Sequence, residues 1–422
     1  MKKHILLAVT LFLAALSSFA QDYRELIKEN PAMAGSNMMN YIYEPAAYTP
    51  APKGYKPFYI SHYGRHGSRY EGTPKSAAPT WKVMRAADSL GLLSEAGKAF
   101  WKDLEPVLNE QAPMYGMLTT LGAKEQRGIG ERMAENFPEV FKGKHGRSVV
   151  YSQTSVVPRC ILSMTNFTHS LKEHTKGLEF TFVAGDKYQQ QIAYDPDLRE
   201  AYELAVAVED SVRRAVMKPM EIIDYFFNDT AKAMEIIGDP YIFEQRLYLA
   251  SSVGHLTDYG VCLLKHFPYD ALVRNFEIRN PRFYLAYSMS AEMSEYQKQI
   301  SRRVVADFLN RADAALAEGS KVAADLRFGH DIVLQPFVSH LKISGHEQWV
   351  RFDQVNAVWN SSTTIGMGAN FQMIFYKNKA GDVLVKMLHN EKEVTIPALE
   401  TFSDPYYKWS DLRSYLVSLL DD

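Results

Sequence analysis

Three apolar, strand-like runs in this chain each lead into polar and glycine residues and then into a helical pattern. The runs cover residues 57–64, 148–152 and 323–329, and the sequences that follow them are RHGSR, QTSVVPR and HDIVLQP. Strands that alternate with helices favour an α/β sheet, and polar residues at several strand ends favour a ligand site at its carboxyl edge. This pattern constrains the fold more than any other feature of the sequence.

The middle of the chain has a different pattern. Long helical periodicities dominate residues 197–216, 219–237 and 292–317, whereas β-branched runs nearly vanish. Strand-like runs return at 368–377 and 382–389, and Lys379-Ala380-Gly381 between them predicts a hairpin. We therefore predict an α/β fold with a mixed, mainly parallel sheet flanked by helices. Residues 21–190 and 320–422 would form this domain, and a helical insertion over residues 191–319 would form a cap.

The N-terminus has the pattern of a cleaved export signal. Lys2 and Lys3 precede an apolar run over residues 5–16, and Ser18 and Ala20 place small residues where a signal peptidase cuts. The run is short for a membrane span, and no second run of spanning length follows. We expect a signal peptide at residues 1–20, no transmembrane anchor, and export to the periplasm of a Gram-negative bacterium or secretion otherwise. An uncleaved anchor is the alternative.

Composition excludes several classes of protein. The chain has 47 Lys and Arg against 49 Asp and Glu, so it lacks the basic excess typical of nucleic-acid binding and no nucleic-acid partner is expected. Two cysteines among 422 residues exclude a disulfide scaffold and a cysteine-built metal site. Whether Cys160 and Cys262 pair is open, since nothing in the sequence brings them together.

The stretch Arg65-His66-Gly67-Ser68-Arg69 carries most of the chemical information. Guanidinium groups bind phosphate oxygens in a bidentate way that an ammonium cannot match. An imidazole between two of them would lie against phosphorus, and Gly67 would let the backbone approach a ligand closely. A solvated basic turn is the alternative, but the preceding strand-like run favours a site.

At these residues the chain resembles the histidine acid phosphatases, the large secreted branch of the histidine phosphatases. Their marker is Arg-His-Gly-x-Arg-x-Pro near the N-terminus, with a distant His-Asp or His-Ala-Glu, and this chain reads RHGSRYE and FGHDIVLQP. The sequence YSQTSVVPRCILSM resembles the Arg-Cys-x-x-Ser motif of the multiple inositol polyphosphate phosphatases. LTTLGAKEQRGIGERMAENFPEVF and LHNEKEVTIP also resemble that subfamily, so the resemblance spans residues 58 to 397.

The resemblance implies a role for each matching residue. His66 would be the nucleophile that forms a phosphohistidine, and Asp331 would donate the proton to the leaving alkoxide. The residues that would clamp phosphate are Arg65, Arg69, Arg159 and His330. Their positive charge would stabilise the transferring phosphoryl group. The resemblance implies no cofactor and no metal, and the HExxH pattern is absent around His346 and Glu347.

Two departures from the family pattern bear on specificity. Glu71 stands where the family usually has proline, and this negative charge would discourage a polyanion unless it pairs with a base such as Lys75. The inositol polyphosphate subfamily usually has His-Ala-Glu, whereas this chain has His330-Asp331. Lys75 is a candidate, on weak grounds, for binding a further phosphate of the substrate.

We therefore expect an exported phosphomonoesterase acting on a small phosphate ester, with inositol polyphosphates such as phytate favoured. A broad acid phosphatase for sugar phosphates is the alternative within this class. A non-catalytic phosphate-binding protein would need neither nucleophile nor acid, and a mutase related to the shorter intracellular enzymes fits neither the predicted export nor the large insertion.

Overall fold

A single mixed sheet lies at the centre of the structure, a computed structural model that describes residues 22–142, 147–192 and 198–421. The predicted signal peptide lies outside the described residues. The strands are β1 (Lys56–Arg65), β2 (Val149–Thr154), β3 (Glu179–Ala184), β4 (Val322–Gly329), β5 (Asn370–Lys377), β6 (Val383–His389), β7 (Lys392–Val394) and β8 (Tyr407–Lys408). Their order is β3-β2-β4-β1-β5-β6-β7, and β8 pairs with β6.

The sheet has a parallel half and an antiparallel half. β3, β2, β4 and β1 pair in parallel, which requires the long helical crossovers between them. β5 to β8 pair antiparallel, and a short turn joins β5 to β6 at the predicted hairpin. The carboxyl ends of β1, β2 and β4 therefore meet at one edge, where β5 begins. The expected α/β class with a mixed sheet flanked by helices is confirmed. The sheet is not mainly parallel as predicted, because β5 to β8 are joined without helical crossovers and pair antiparallel.

Helices surround this sheet and extend beyond it. Those before β4 are α1 (Tyr23–Glu29), α2 (Ala77–Ser89), α3 (Glu95–Gln111), α4 (Thr120–Asn136), α5 (Pro138–Phe141), α6 (Pro158–Glu173), α7 (Gln189–Ile192), α8 (Leu198–Val216), α9 (Pro219–Phe226), α10 (Thr230–Ile237), α11 (Pro240–Ser251), α12 (Tyr269–Tyr287) and α13 (Glu295–Leu316). The later ones are α14 (Asp331–His340), α15 (Val355–Val358), α16 (Ser361–Thr364) and α17 (Trp409–Asp421). None of the described helices is long and apolar enough to cross a membrane.

The two faces of the sheet bury separate apolar cores. Alternating side chains of β5 divide between them: Phe371, Met373 and Phe375 face one core, and Ile374 and Tyr376 face the other. Helices α13, α14 and α17 cover the first face, and α4, α5 and α6 cover the second. Because both faces are covered, the carboxyl edge is where the central strands can present polar groups to a ligand.

The helical character predicted for the middle of the chain is confirmed, with one correction. Residues 219–237 form two helices, not one, because Phe227 and Asp229 are extended and the Asp229 side chain caps α10 by accepting the Lys232 N–H. Helices α2 and α3 share an apolar core with α9 to α11. Helices that precede β2 in the chain therefore pack with helices of the predicted insertion. The domain boundaries stay a prediction.

Candidate active site

The sequence RHGSR lies where β1 ends, at the carboxyl edge of the sheet. The Arg65 N–H donates to the Ala369 carbonyl (2.8 Å), the His66 N–H to the Gly329 carbonyl (2.9 Å), and the Gly368 N–H to the His66 carbonyl (3.0 Å). These bonds join the end of β1 to the end of β4 and to the residues before β5. Backbone hydrogen bonds alone thus fix the loop to both neighbouring strands.

Gly67 and Gly122 allow the loop to pass close to α4. A Cβ on Gly67 would lie 2.4 Å from the Gly122 carbonyl oxygen, and a Cβ on Gly122 would lie 2.1 Å from the Ser68 carbonyl oxygen. The Gly67 N–H donates to Oγ of Ser163 (3.1 Å) on α6. Both positions therefore require glycine for a close approach of two backbones.

His66 is held in one tautomer. Its Nδ1 lies 2.9 Å from the Gly67 carbonyl oxygen, which only accepts hydrogen bonds, so Nδ1 carries the proton. Burial and the charges of Arg159 and Arg65 hold the pKa of His66 well below its ordinary value. The imidazole is therefore neutral, and its unprotonated Nε2 has a lone pair available for attack on phosphorus.

The charges of three arginines, Arg65, Arg69 and Arg159, act on this imidazole. Arg65 is buried, and its Nη1 donates to the carbonyls of Asn37 (2.7 Å) and Ile365. Nη1 of Arg69 donates to the Tyr70 carbonyl (2.8 Å), and Nη1 of Arg159, in the first turn of α6, donates to the Gly116 carbonyl (3.3 Å).

The arginines carry more positive charge than their surroundings neutralise. Burial, with repulsion from Arg159 and Arg65, lowers the pKa of Arg69 to about 9. Each of the three has a buried Nε without a hydrogen-bond partner among the described residues. Crowded cations with unused donors are the electrostatic pattern expected of an anion site.

His330 follows β4 and lies beside His66. The two rings are 5.3 Å apart between centroids and nearly perpendicular. The His330 N–H donates to the Tyr63 hydroxyl (3.1 Å), and Sγ of Cys160 lies 3.5 Å from its Nε2. Burial and the charge of Arg159 lower the pKa of His330 to about 3, so this ring is also neutral. Cys160 and Cys262 are both free thiols.

Asp331 begins helix α14 and faces Arg65. Its Oδ2 lies 3.2 Å from Nη2 of Arg65 and accepts a 2.7 Å hydrogen bond from the side-chain amide of Asn37. Burial raises the pKa of Asp331, but Arg65 and the Asn37 amide outweigh it, so the pKa lies below the ordinary value of 3.8. Without substrate, Asp331 is therefore a carboxylate.

Glu125 on α4 binds the backbone and the side chain of Ser68 in the RHGSR loop. Its carboxylate accepts hydrogen bonds from the Ser68 N–H (2.7 Å), the Ser68 hydroxyl (2.7 Å) and the Tyr41 N–H (2.9 Å). The neighbouring Gln126 side chain donates to the Arg65 carbonyl (3.1 Å). Neither Glu125 nor Asn37 was singled out from the sequence, although Glu125 lies in a stretch that carried the resemblance.

Glu71 and Lys75 occupy the segment before α2. The Glu71 carboxylate accepts the N–H groups of Ser76 (3.0 Å) and Ala77 (3.1 Å) at the helix N-terminus. Burial raises the pKa of Glu71, and these hydrogen bonds and the charge of Arg69, not Lys75, act against that shift. Lys75 is exposed, and its role in binding a second phosphate stays a prediction.

The structure thus brings together the three stretches that the sequence analysis selected. The described residues include no cluster of three or more His, Cys, Asp or Glu side chains that would hold a metal ion.

Comparison with known proteins shows that the fold is similar to those of a solved phosphatase and a solved phytase. The multiple inositol polyphosphate phosphatase of Bifidobacterium longum, in its apo form, superposes with a TM-score of 0.73 at 22% identity, over 91% of this chain and 97% of that one. Its complex with inositol hexasulfate superposes with a TM-score of 0.74 at 21% identity, over the same shares. The D. castellii phytase superposes with a TM-score of 0.70 at 12% identity, over 92% of this chain and 85% of that one. No family model and no curated protein matches the chain.

Proposed function

We propose that the chain is a histidine acid phosphatase that hydrolyses phosphate monoesters through a phosphohistidine at His66. The observation that carries this proposal is the neutral His66 ring with Nδ1 bound to a backbone carbonyl, inside a ring of three guanidiniums. Binding alone requires neither an oriented nucleophile nor an adjacent carboxyl group, so the arrangement favours an enzyme over a phosphate-binding protein.

In the first step, Nε2 of His66 forms a bond to phosphorus as the bond to the leaving oxygen breaks. Arg65, Arg69 and Arg159 stabilise the charge on the equatorial oxygens, the dominant contribution expected in phosphoryl transfer. Asp331 gives its proton to the leaving alkoxide, which is otherwise a poor leaving group.

Asp331 acquires this proton when substrate binds. Arg65 is a main cause of the low pKa of Asp331, and a bound phosphate would share that guanidinium and add negative charge nearby. Both effects raise the pKa of Asp331, so the substrate itself favours the protonated form.

In the second step, water attacks phosphorus and the bond to Nε2 breaks. The proton of the water passes to the Asp331 carboxylate, which the first step left unprotonated. Inorganic phosphate and the free alcohol are the products. His66 is again neutral, and Asp331 again carries the proton it held at the start of the first step, which it releases when phosphate leaves.

Inositol polyphosphates are the favoured substrates. The B. longum phosphatase, which this chain matches over nearly its whole length, has been solved with inositol hexasulfate. The stretches at 118–141 and 388–397 carry a resemblance to the same subfamily. Sugar phosphates are the alternative, because His330-Asp331 replaces the usual His-Ala-Glu. Export through residues 1–20 is part of the proposal.

The test is phosphate release from phytate, glycerol phosphate and sugar phosphates in EDTA, with His66→Ala and the exposed His169→Ala as matched variants. We expect His66→Ala to lose activity by on the order of a thousandfold or more, and His169→Ala to lose none. When the reaction with a substrate labelled in its phosphate is quenched in alkali, the label should stay bound to the wild-type protein as phosphohistidine and should not be bound to His66→Ala. Equal rates in His66→Ala and wild type would remove the nucleophile, and no hydrolysis between about pH 3 and 8 would favour a phosphate-binding protein.

A further inference from the structure

A segment that precedes the first strand reaches the acid of the proposed reaction. Residues Pro31–Met38 form a 3-10 segment, and its Asn37 is only 4% exposed. The Asn37 carbonyl accepts Nη1 of Arg65, and its side-chain Nδ2 donates to Oδ2 of Asp331 at 2.7 Å. One residue, 294 positions from Asp331, therefore contacts both a phosphate-clamping arginine and the carboxyl group.

The two carboxylate oxygens of Asp331 are held differently. Oδ2 accepts a hydrogen bond from the Asn37 amide and lies 3.2 Å from Nη2 of Arg65, whereas Oδ1 accepts one from the adjacent Ile332 N–H, at 3.1 Å. A proton on Oδ2 would meet an amide N–H and a guanidinium, both of which are donors. Oδ1 accepts one hydrogen bond among the described contacts and keeps a second lone pair, whereas Oδ2 faces two donors, so Oδ1 is the oxygen that can carry and release a proton.

The backbone beside Asn37 adopts an unfavourable conformation. Ser36 has φ 59° and ψ −132°, a region that residues other than glycine rarely occupy. Its hydroxyl lies 2.6 Å from that of Ser361, so surrounding contacts maintain the conformation. Such outliers collect where a functional group must be placed.

We propose that Asn37 is a positioning residue for proton transfer by Asp331. Its amide fixes Oδ2, so that Oδ1 gives the proton to the leaving oxygen and takes one from the attacking water. This inference rests on the proposed function. The titratable and charged groups that act on Asp331 from the surrounding elements are Tyr63, Arg65, Arg69, Arg159, Tyr287 and His330.

Asn37→Ala removes the amide but keeps the backbone carbonyl that binds Arg65. We expect turnover of alkyl phosphates, which need a proton donor, to fall about tenfold or more, in line with the loss of a hydrogen bond to a charged group. Turnover of p-nitrophenyl phosphate, whose leaving group is stable as an anion, should fall less than about threefold. Inhibition by inorganic phosphate should not change, because the arginine clamp stays intact.

The pH profile separates positioning from a general loss of structure. The amide stabilises the carboxylate, so its removal favours the protonated form and moves the alkaline decline of alkyl-ester turnover to higher pH. The isosteric Asn37→Asp places a second carboxylate against Asp331 and should move the decline further. This variant preserves side-chain size if Asn37→Ala does not fold.

Asn40→Ala is the matched control, because Asn40 lies two residues after the end of the 3-10 segment and its side chain donates only to the adjacent Tyr41 carbonyl (3.3 Å) among the described contacts. In an Asp331→Asn background, Asn37→Ala should have almost no further effect on the turnover of alkyl phosphates, because Asn37 acts through Asp331. Equal losses on alkyl and aryl esters, or additive losses in the double variant, would overturn the inference. An inactive wild type would instead overturn the proposed function.

Discussion

Glu125 offers the most direct test of how the scaffold holds the site. Its carboxylate accepts two backbone N–H groups and one hydroxyl at 2.7 to 2.9 Å. A hydrogen bond to a charged group contributes about 1.5–3 kcal/mol, and donors left without a partner cost more than the bond itself. Because the site is partly exposed and water can replace some contacts, we expect Glu125→Ala to lower the free energy of unfolding by about 2–4 kcal/mol.

The consequence for activity follows from the same contacts. Ser68 lies between Gly67 and Arg69, so a loosened Ser68 backbone displaces the loop that carries the nucleophile. A displacement of about 1 Å can cost on the order of a hundredfold in rate. Burial raises the pKa of Glu125, so the stabilisation it gives rests on hydrogen bonds and not on a favourable ionisation.

Urea unfolding followed by circular dichroism measures the free energy of unfolding of Glu125→Ala, and phosphate release measures its rate of hydrolysis. Glu131→Ala is the control on the same helix, because Glu131 pairs only with the partly exposed His174 (3.2 Å) among the described ion pairs. It should change stability by less than about 0.5 kcal/mol. If Glu125→Ala unfolded within this margin of the wild type and kept its rate, the carboxylate would not be what positions the loop.

Two further predictions concern the loop and the acid. Gly67→Ala forces a Cβ to within 2.4 Å of the Gly122 carbonyl oxygen and should destabilise by about 1–3 kcal/mol with a large loss of kcat/KM. Gly185→Ala, whose Cβ would have its nearest neighbour, in the Tyr188 ring, 4.0 Å away, should do neither. Equal thermal midpoints for the two variants would contradict the close approach. The lowered pKa of Asp331 means that its carboxylate stabilises the folded state above the unfolded pKa and that this contribution is lost as pH falls through the folded pKa. The free energy of unfolding of the wild type should therefore exceed that of Asp331→Asn near pH 7, and this difference should become smaller below about pH 4. A difference that became larger on acidification would show that the pKa of Asp331 is raised in the folded state.

The sheet and the motif loop were predictable from the sequence because their signals are local. Apolar runs of strand length marked β1, β2, β4, β5 and β6, and the polar residues after three of them marked the carboxyl edge. The edge strand β3 was missed because all six of its residues are exposed or half-buried, so it lacks a long apolar run. The break at Asn228 and Asp229 carried a capping signal that predicts the end of one helix and the start of another.

Asn37 and Glu125 could not be predicted as parts of the site from local patterns. Asn37 is bound to Asp331 across 294 residues, and Glu125 to Ser68 across 57. Neither residue type nor spacing encodes such a pairing, because it depends on how the segment before β1 and helix α4 pack against the sheet. Positions that hold the reacting groups in place are thus less visible in a sequence than the reacting groups themselves.

The charge balance of the site links the scaffold to the chemistry. Burial lowers the pKa of Arg65, Arg69 and Arg159, so gathering these guanidiniums around a neutral imidazole opposes folding. The backbone carbonyls of Asn37, Ile365, Tyr70 and Gly116 offset this cost in part without cancelling the charge. Neutralising carboxylates would stabilise the fold more, but they would compete with a phosphate for the same donors. Asp331 is the exception, since its contact with Arg65 couples its protonation to the arrival of the substrate.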